Sequence, residues 1–171
     1  LPVIVHDREA HGDCLEIVKE FPGVRGVFHC FSGSPEMAEE LLKRGWYLGF
    51  DGPITFKNAR RAPEVAAVTP LDRMLIETDS PYMTPVPYRG KRCDSGMIAA
   101  TAARMAGAFR CGFTALYVET ETSQQMTSLD KERLRTHIRL AQQLEASIET
   151  VYGDDIPDQI AEFARVSGVT K

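Results

Sequence analysis

"RGKRCDSGMIAATAARMAGAFRCG", residues 89–112, decides how this chain is divided. Its first residues close a long loop, 79–94, which carries Pro81, Pro85, Pro87 and Gly90. A loop of that length inside a compact domain commonly has a function. Asp94 or Ser95 can cap the helix that follows. Ile98, Ala102, Met105 and Phe109 recur along it at helical spacing. "FTALYVE", residues 113–119, then reads as a strand. The helix therefore either ends one α/β unit or begins another.

Towards the N-terminus a strand-then-helix rhythm repeats. "PVIVHD" (2–7) is the continuous apolar run that a covered parallel strand needs. Cys14, Ile17, Val18 and Phe21 recur at helical spacing. "GVFHCF" (26–31) is a second strand. Ser34 and Pro35 mark a helix start, because proline in the first turn loses no needed hydrogen bond. That helix stops at Gly45. "WYLGF" (46–50), a short helix near 59–68 and "MLIET" (74–78) follow. Towards the C-terminus, Thr127 and Asp130 form a candidate capping box. The helix behind it turns Leu134, Ile138, Ala141 and Leu144 inward. "IETVYG" (148–153) is a sixth strand. Asp154 or Asp155 caps a last helix whose inner face is Ile156, Ile160 and Phe163. Six strands alternating with six helices predict one α/β domain over 1–171 with a mainly parallel sheet.

The composition of the 171 residues, 43% hydrophobic and 26% charged, is that of a soluble globular chain. A net charge of −4 argues against a broad basic field, so no strong nucleic-acid binding is expected, although a local basic patch remains compatible. Cys14, Cys30, Cys93 and Cys111 are far apart and form no CxxC pair, which predicts reduced thiols in a cytoplasmic protein. No apolar run is long enough to span a bilayer. The chain opens inside a strand run and ends at "VSGVTK" inside the same rhythm, the pattern of a fragment.

In parallel α/β proteins, ligands bind at the carboxyl ends of strands. Three strand ends here carry strong metal ligands: His6, His29 and Asp79. Imidazole nitrogen with carboxylate oxygen suits zinc, manganese or magnesium. Any one of the three alone reads as a satisfied core histidine or a loop cap. Together, at equivalent strand ends, they read as a metal site. His11 reads as a surface residue at a helix start.

"VHDREA" (5–10), "FHCFSGS" (28–34), "LGFDGPITFK" (48–57) and "LIETDSPYMTPVPYRGKR" (75–92) resemble, in order and spacing, the TatD-type metal-dependent DNases. The resemblance covers residues 1 to about 98. It implies the last four strands of an eight-stranded (β/α) barrel that hydrolyses phosphodiester bonds at a divalent-metal centre. It also implies that His6, His29 and Asp79 bind metal. Asp79 would be the catalytic residue, orienting the attacking water, and Arg8, Ser32 and Arg89 would face a phosphate. That family has a paired histidine motif on its first strand and a glutamate on its fourth, and no H-x-H occurs here. Cys93 stands where the family usually has asparagine.

"AARMAGAFRCGFTALYVET" (102–120) and "RLRTHIRLAQQLEASIETVYGDDIPDQIAEFARVSGVTK" (133–171) resemble the universal-stress-protein domain of KdpD-type sensor histidine kinases. The two resemblances together predict a chimera, engineered or recombined, joined within the 98–109 helix and without evolved catalytic activity. No cofactor is required on that reading, save a weakly bound zinc, manganese or magnesium ion. A residual metal-dependent phosphodiesterase and a ligand- or partner-binding sensor fragment are its alternatives. If every crossover steps the same way, helices cover one sheet face and leave the other bare, with Val3, Val5, Val27, Leu48 and Leu75 on it. Such a face is not tolerated in a soluble monomer. A doubly wound, flavodoxin- or Rossmann-like sheet is therefore expected over an open half-barrel, together with self-association as a homodimer.

Overall fold

The computed structural model describes residues 1–109 and 111–168. Arg110 and 169–171, where the second resemblance ends, lie outside them. The chain divides into two compact units, Leu1–Phe109 and Arg110–Lys171.

In the first unit, β1 (Val3–His6), β2 (Gly26–His29), β3 (Tyr47–Phe50) and β4 (Met74–Ile76) form a parallel sheet in the order β1-β2-β3-β4. The connecting helices are α1 (His11–Glu20), α2 (Pro35–Lys43) and α3 (Arg61–Val68). Ser34 caps α2 by accepting from the Met37 amide at 3.3 Å, with Pro35 in the first turn, as its sequence requires. The predicted α/β class holds, with parallel strands. The expected six-stranded sheet is divided in two, however. A doubly wound sheet needs a reversal of strand order, and the four strands run in sequence order without one.

The register shows which face the helices cover. Val5 pairs with Phe28, Phe28 with Leu48, and Leu48 with Met74. This row meets Val18 of α1, Met37, Ala38 and Leu41 of α2, and Val65 and Ala66 of α3 in one core. Phe28 stands edge-on to both Phe31 and Trp46. The next row, Ile4, Val27 and Tyr47, points to the opposite face, as does Leu75 beside Gly49. Ile4 is 77% exposed there. The expected bare face thus exists, but Val3, Val5 and Leu48 are not on it. Successive side chains alternate between faces, so those three belong to the covered side.

The helix of residues 98–109 is α4 (Ile98–Phe109), and it lies in the first unit. It packs against α3, β4 and the 3-10 turn Gly52–Thr55. Its buried face is Ala100, Thr101, Met105 and Ala106, while Ile98 is exposed. Of the expected stripe, Met105 and Phe109 meet the core, whereas Ile98 does not. In the second unit, β5 (Thr114–Glu119) and β6 (Ser147–Tyr152) pair in parallel around α5 (Ser128–Gln143), followed by α6 (Ile156–Val166). Thr127 and Asp130 form the predicted capping box. Asp155 caps α6, and Asp154 accepts from the Glu121 amide at 2.8 Å. Ile156 and Ile160 of α6, expected inward, are exposed. Among the described residues no helix is long and apolar enough to cross a membrane.

Leu41 is fully buried at the centre of the first unit's core. Leu41→Ala leaves a cavity and should lower the stability of that unit by about 2–5 kcal/mol, read by chemical denaturation.

Candidate metal centre

All four strands of the larger sheet point their carboxyl ends the same way, so the residues that end them gather along one edge. His6 and His29 are register partners on β1 and β2, with ring centroids 5.7 Å apart. Asp51 follows β3, and Glu77 and Asp79 follow β4. The edge therefore carries two imidazoles and three carboxylates.

Glu77 reaches across β3 to β2. Its carboxylate accepts from the Cys30 amide at 2.5 Å and meets His29 Nδ1 at 2.9 Å. It can do so because residue 49 is glycine. A Cβ at Gly49 would stand 2.3 Å from Glu77 Oε1, inside any allowed contact. With Nδ1 taken, His29 turns Nε2 towards Asp79 Oδ1, 3.7 Å away. That separation is too long for a hydrogen bond. Two donors about 2.0–2.2 Å from one shared ion can span it.

The electrostatics favour positive charge at this edge. Partial burial works to lower the His29 pKa, yet the Glu77 hydrogen bond and the charges of Glu77, Asp79 and Asp51 carry it above its ordinary value. Burial, followed by the same three carboxylates, pushes the Cys30 thiol up to about 12. Asp51 is only 3% exposed. Burial raises its carboxyl to about 6; the Gly52 amide works against the shift, Asp79 and Glu77 add to it, and His29 opposes it. Asp51 Oδ1 accepts from Gly52, whereas Oδ2 is buried without a hydrogen-bond partner.

The donor chemistry fits a divalent ion on one side. His29 presents a nitrogen oriented by a carboxylate behind it, the usual support of a metal-binding imidazole. His6 and Asp79 flank it, and an orphaned carboxylate oxygen lies in the same acidic environment. Among the described residues, no three His, Cys, Asp or Glu side chains close around a single point. The arrangement lines the edge as a wall of donors and encloses no point.

A cleft of about 650 Å³ opens beside this wall and is lined by His6, Arg8, Ser32 and Asp79. A second, of about 610 Å³, shares Arg8 and Asp79 and adds Arg89 and Lys91. Arg89 lies 4.0 Å over the Phe56 ring. Five of the six sequence-predicted site residues thus line these clefts, and the sixth, His29, faces Asp79 across 3.7 Å. The 79–94 loop is held at this edge through Gly52, where a Cβ would collide with the Met83 carbonyl, and by Val86 donating to Thr55 Oγ1 at 2.8 Å. His11 is not isolated, because its Nδ1 meets the buried Asp7 carboxylate at 2.6 Å. Asp51 and Glu77 were not singled out from sequence. Both stand at strand ends, the signal that found the other three, and Glu77 also lies two residues before Asp79.

The sequence model of the family described as "TatD related DNase" matches residues 1–129. The uncharacterized metal-dependent hydrolase YabD of Bacillus subtilis is 47% identical over 108 residues, which are 62% of this chain and 42% of that protein. The uncharacterized metal-dependent hydrolase YcfH of Escherichia coli K12 is 41% identical over 138 residues, 79% of this chain and 52% of that protein. The chain thus spans about half the length of the curated relatives it matches. The crystal structure of YJJV, a TatD homologue from E. coli K12, superposes with a TM-score of 0.57 at 32% identity, covering 63% of this chain and 42% of that one. These findings correct the expectation of an engineered or recombined chimera without evolved activity. The family match runs through the 98–109 helix, where the junction was placed, and takes in part of the stretch assigned to a KdpD-type universal-stress-protein domain. The 98–109 helix, read as the seam, packs within the first unit.

Two outcomes test the wall itself. With chelator present, Asp51→Asn should melt higher than the parent protein at pH 8 and equally at pH 3.5. Folding raises the Asp51 pKa from its ordinary 3.8 to about 6, so the parent loses stability as pH climbs through that window. Gly49→Ala should displace Glu77 and move the His29 imidazole titration, followed by NMR, down from its raised position.

Proposed function

Because this chain belongs to the TatD-related DNase family, we propose that its strand-end residues form one side of a divalent-metal centre that hydrolyses phosphodiester bonds. The observation that carries this reading is the Glu77–His29–Asp79 line, which orients one imidazole nitrogen at a carboxylate across an edge that attracts positive charge. His6, His29 and Asp79 would hold the ion. A bound divalent cation supplies Lewis acidity towards a phosphoryl oxygen and acidifies a water.

The chain's own residues supply the rest. Glu77 accepts from His29 Nδ1 and so keeps Nε2 free of a proton when the ring is neutral. Asp79, the proposed catalytic carboxylate, can accept a hydrogen bond from a water at the edge and set its direction of attack. Arg8 and Arg89 can each offer a planar pair of N–H donors to phosphate oxygens. Arg89 does so from a fixed position, because its guanidinium rests on Phe56. Ser32 adds a hydroxyl beside Arg8 in the larger cleft.

Manganese or zinc should support hydrolysis of bis(p-nitrophenyl) phosphate, and EDTA should abolish it. Asp79→Ala and His29→Ala should each lower kcat/KM by about 100-fold or more while leaving the thermal melt of the chelated protein nearly unchanged. Activity that survives both substitutions would place the chemistry elsewhere.

A further inference from the structure

We propose that Asp51 is a further ligand of the divalent cation, reaching it from the end of β3, between His29 of β2 and Asp79 beyond β4. The inference rests on the hydrolase reading above and adds one donor to the three named there.

The strand order sets the position. β3 lies between β2 and β4, which ordinary strand spacing puts roughly 10 Å apart. The ladder continues at the strand ends. The Phe31 amide donates to the Gly49 carbonyl at 2.9 Å, and the Glu77 amide donates to the Phe50 carbonyl at 3.0 Å. His29 Nε2 and Asp79 Oδ1 nevertheless stand only 3.7 Å apart, so the two side chains meet across β3. The face of β3 that they cross is that of Gly49, where the missing side chain leaves room for Glu77. Asp51 comes two residues later with an extended backbone, φ −118° and ψ −177°. Side chains alternate along an extended chain, so Asp51 shares the face of Gly49.

One oxygen of this side chain has a task and the other has none. Oδ1 accepts from the Gly52 amide and so caps the 3-10 turn Gly52–Thr55. A cap needs one oxygen and no charge, and asparagine serves as well. Oδ2 is buried without a hydrogen-bond partner, on a residue that is 3% exposed. Asp79, Glu77 and His29 are charged groups that act on it, and the first two carry its own sign. A carboxylate oxygen buried among like charges is costly until a cation or a donor meets it. An ion in the His29–Asp79 gap meets that need.

With Asp51 included, each of the four strand ends contributes one donor: His6 after β1, His29 after β2, Asp51 after β3 and Asp79 after β4. The set becomes two imidazoles and two carboxylates. The added oxygen moves it towards manganese and magnesium, which favour carboxylate ligands.

The test reads cation binding without turnover. Manganese(II) and cobalt(II) are titrated at pH 8 into the parent protein and Asp51→Asn, in competition with a chromophoric chelator. Asparagine keeps the size of the side chain and its bond to Gly52 but loses the charge. Asp51→Asn should bind manganese about tenfold more weakly, or worse. At saturating cobalt its visible d–d bands should differ from those of the parent, because a ligand has changed. Loss of a remote charge would weaken binding and leave the bands alone. Asp51→Ser, too short to span the gap, should alter the bands in the same way. A melt in EDTA no lower than that of the parent shows that Asp51→Asn is folded. Equal manganese affinity, or identical cobalt spectra, would overturn the ligand, and diester hydrolysis by the parent would then leave the hydrolase reading standing. Cation binding that depends on Asp51 in a protein that cleaves no diester would overturn the hydrolase reading and keep the ligand. A parent that binds neither metal would overturn both.

Discussion

The candidate centre depends on one carboxylate crossing one strand. Glu77 leaves the end of β4, passes over β3 and contacts both His29 Nδ1 and the Cys30 amide on β2. Gly49 makes the passage physically allowed. Without it, Glu77 would have to turn away, and His29 would lose the acceptor that sets which nitrogen faces Asp79. The same contact engages the backbone of Cys30, a non-glycine residue with φ of 46°. A hydrogen bond at that point helps hold a conformation that side chains other than glycine rarely adopt.

That contact also explains why the edge collects charge. Asp51, Glu77 and Asp79 are three acidic groups set against His29, with His6 beside it. Proteins place like charges together only when something compensates. The compensation visible here is a raised affinity for protons at His29, Cys30 and Asp51. A divalent cation would perform the same task more completely, by replacing protons shared among several groups with two positive charges at one point. The burial of Asp51 fits this account, since its unpartnered Oδ2 is costly in the absence of a compensating partner.

The fold serves this edge through repetition. Each crossover returns the chain to the sheet in the same direction, so each strand ends beside the last. The aromatic cluster of Phe28, Phe31 and Trp46 locks β2 and the start of β3 against the helices. The 79–94 loop, which approaches Gly52 closely, carries Arg89 and Lys91 into a cleft shared with Arg8 and Asp79. The open face of the sheet follows from the same geometry, because helices that always cross the same way cannot cover both faces.

Much of this was legible in the residues. Alternating apolar runs and caps located every strand and helix, and Ser34, Thr127 and Asp155 cap where their spacing says they should. His6, His29 and Asp79 were visible because a strand end is a position in sequence as well as in space. Local signals could not decide the rest. The parity of Val3, Val5 and Leu48 depends on which face the helices choose, and the inward face of α4 depends on what it packs against. The reading of two joined families failed because a strand–helix unit looks alike in any parallel α/β chain, whereas the contacts of α4 belong to one unit. Glu77 and Asp51 acquired meaning only when three strands were laid side by side. A carboxylate's role depends on its neighbours across the sheet, and the chain alone carries no record of which strand lies between them or that a glycine there leaves room to reach.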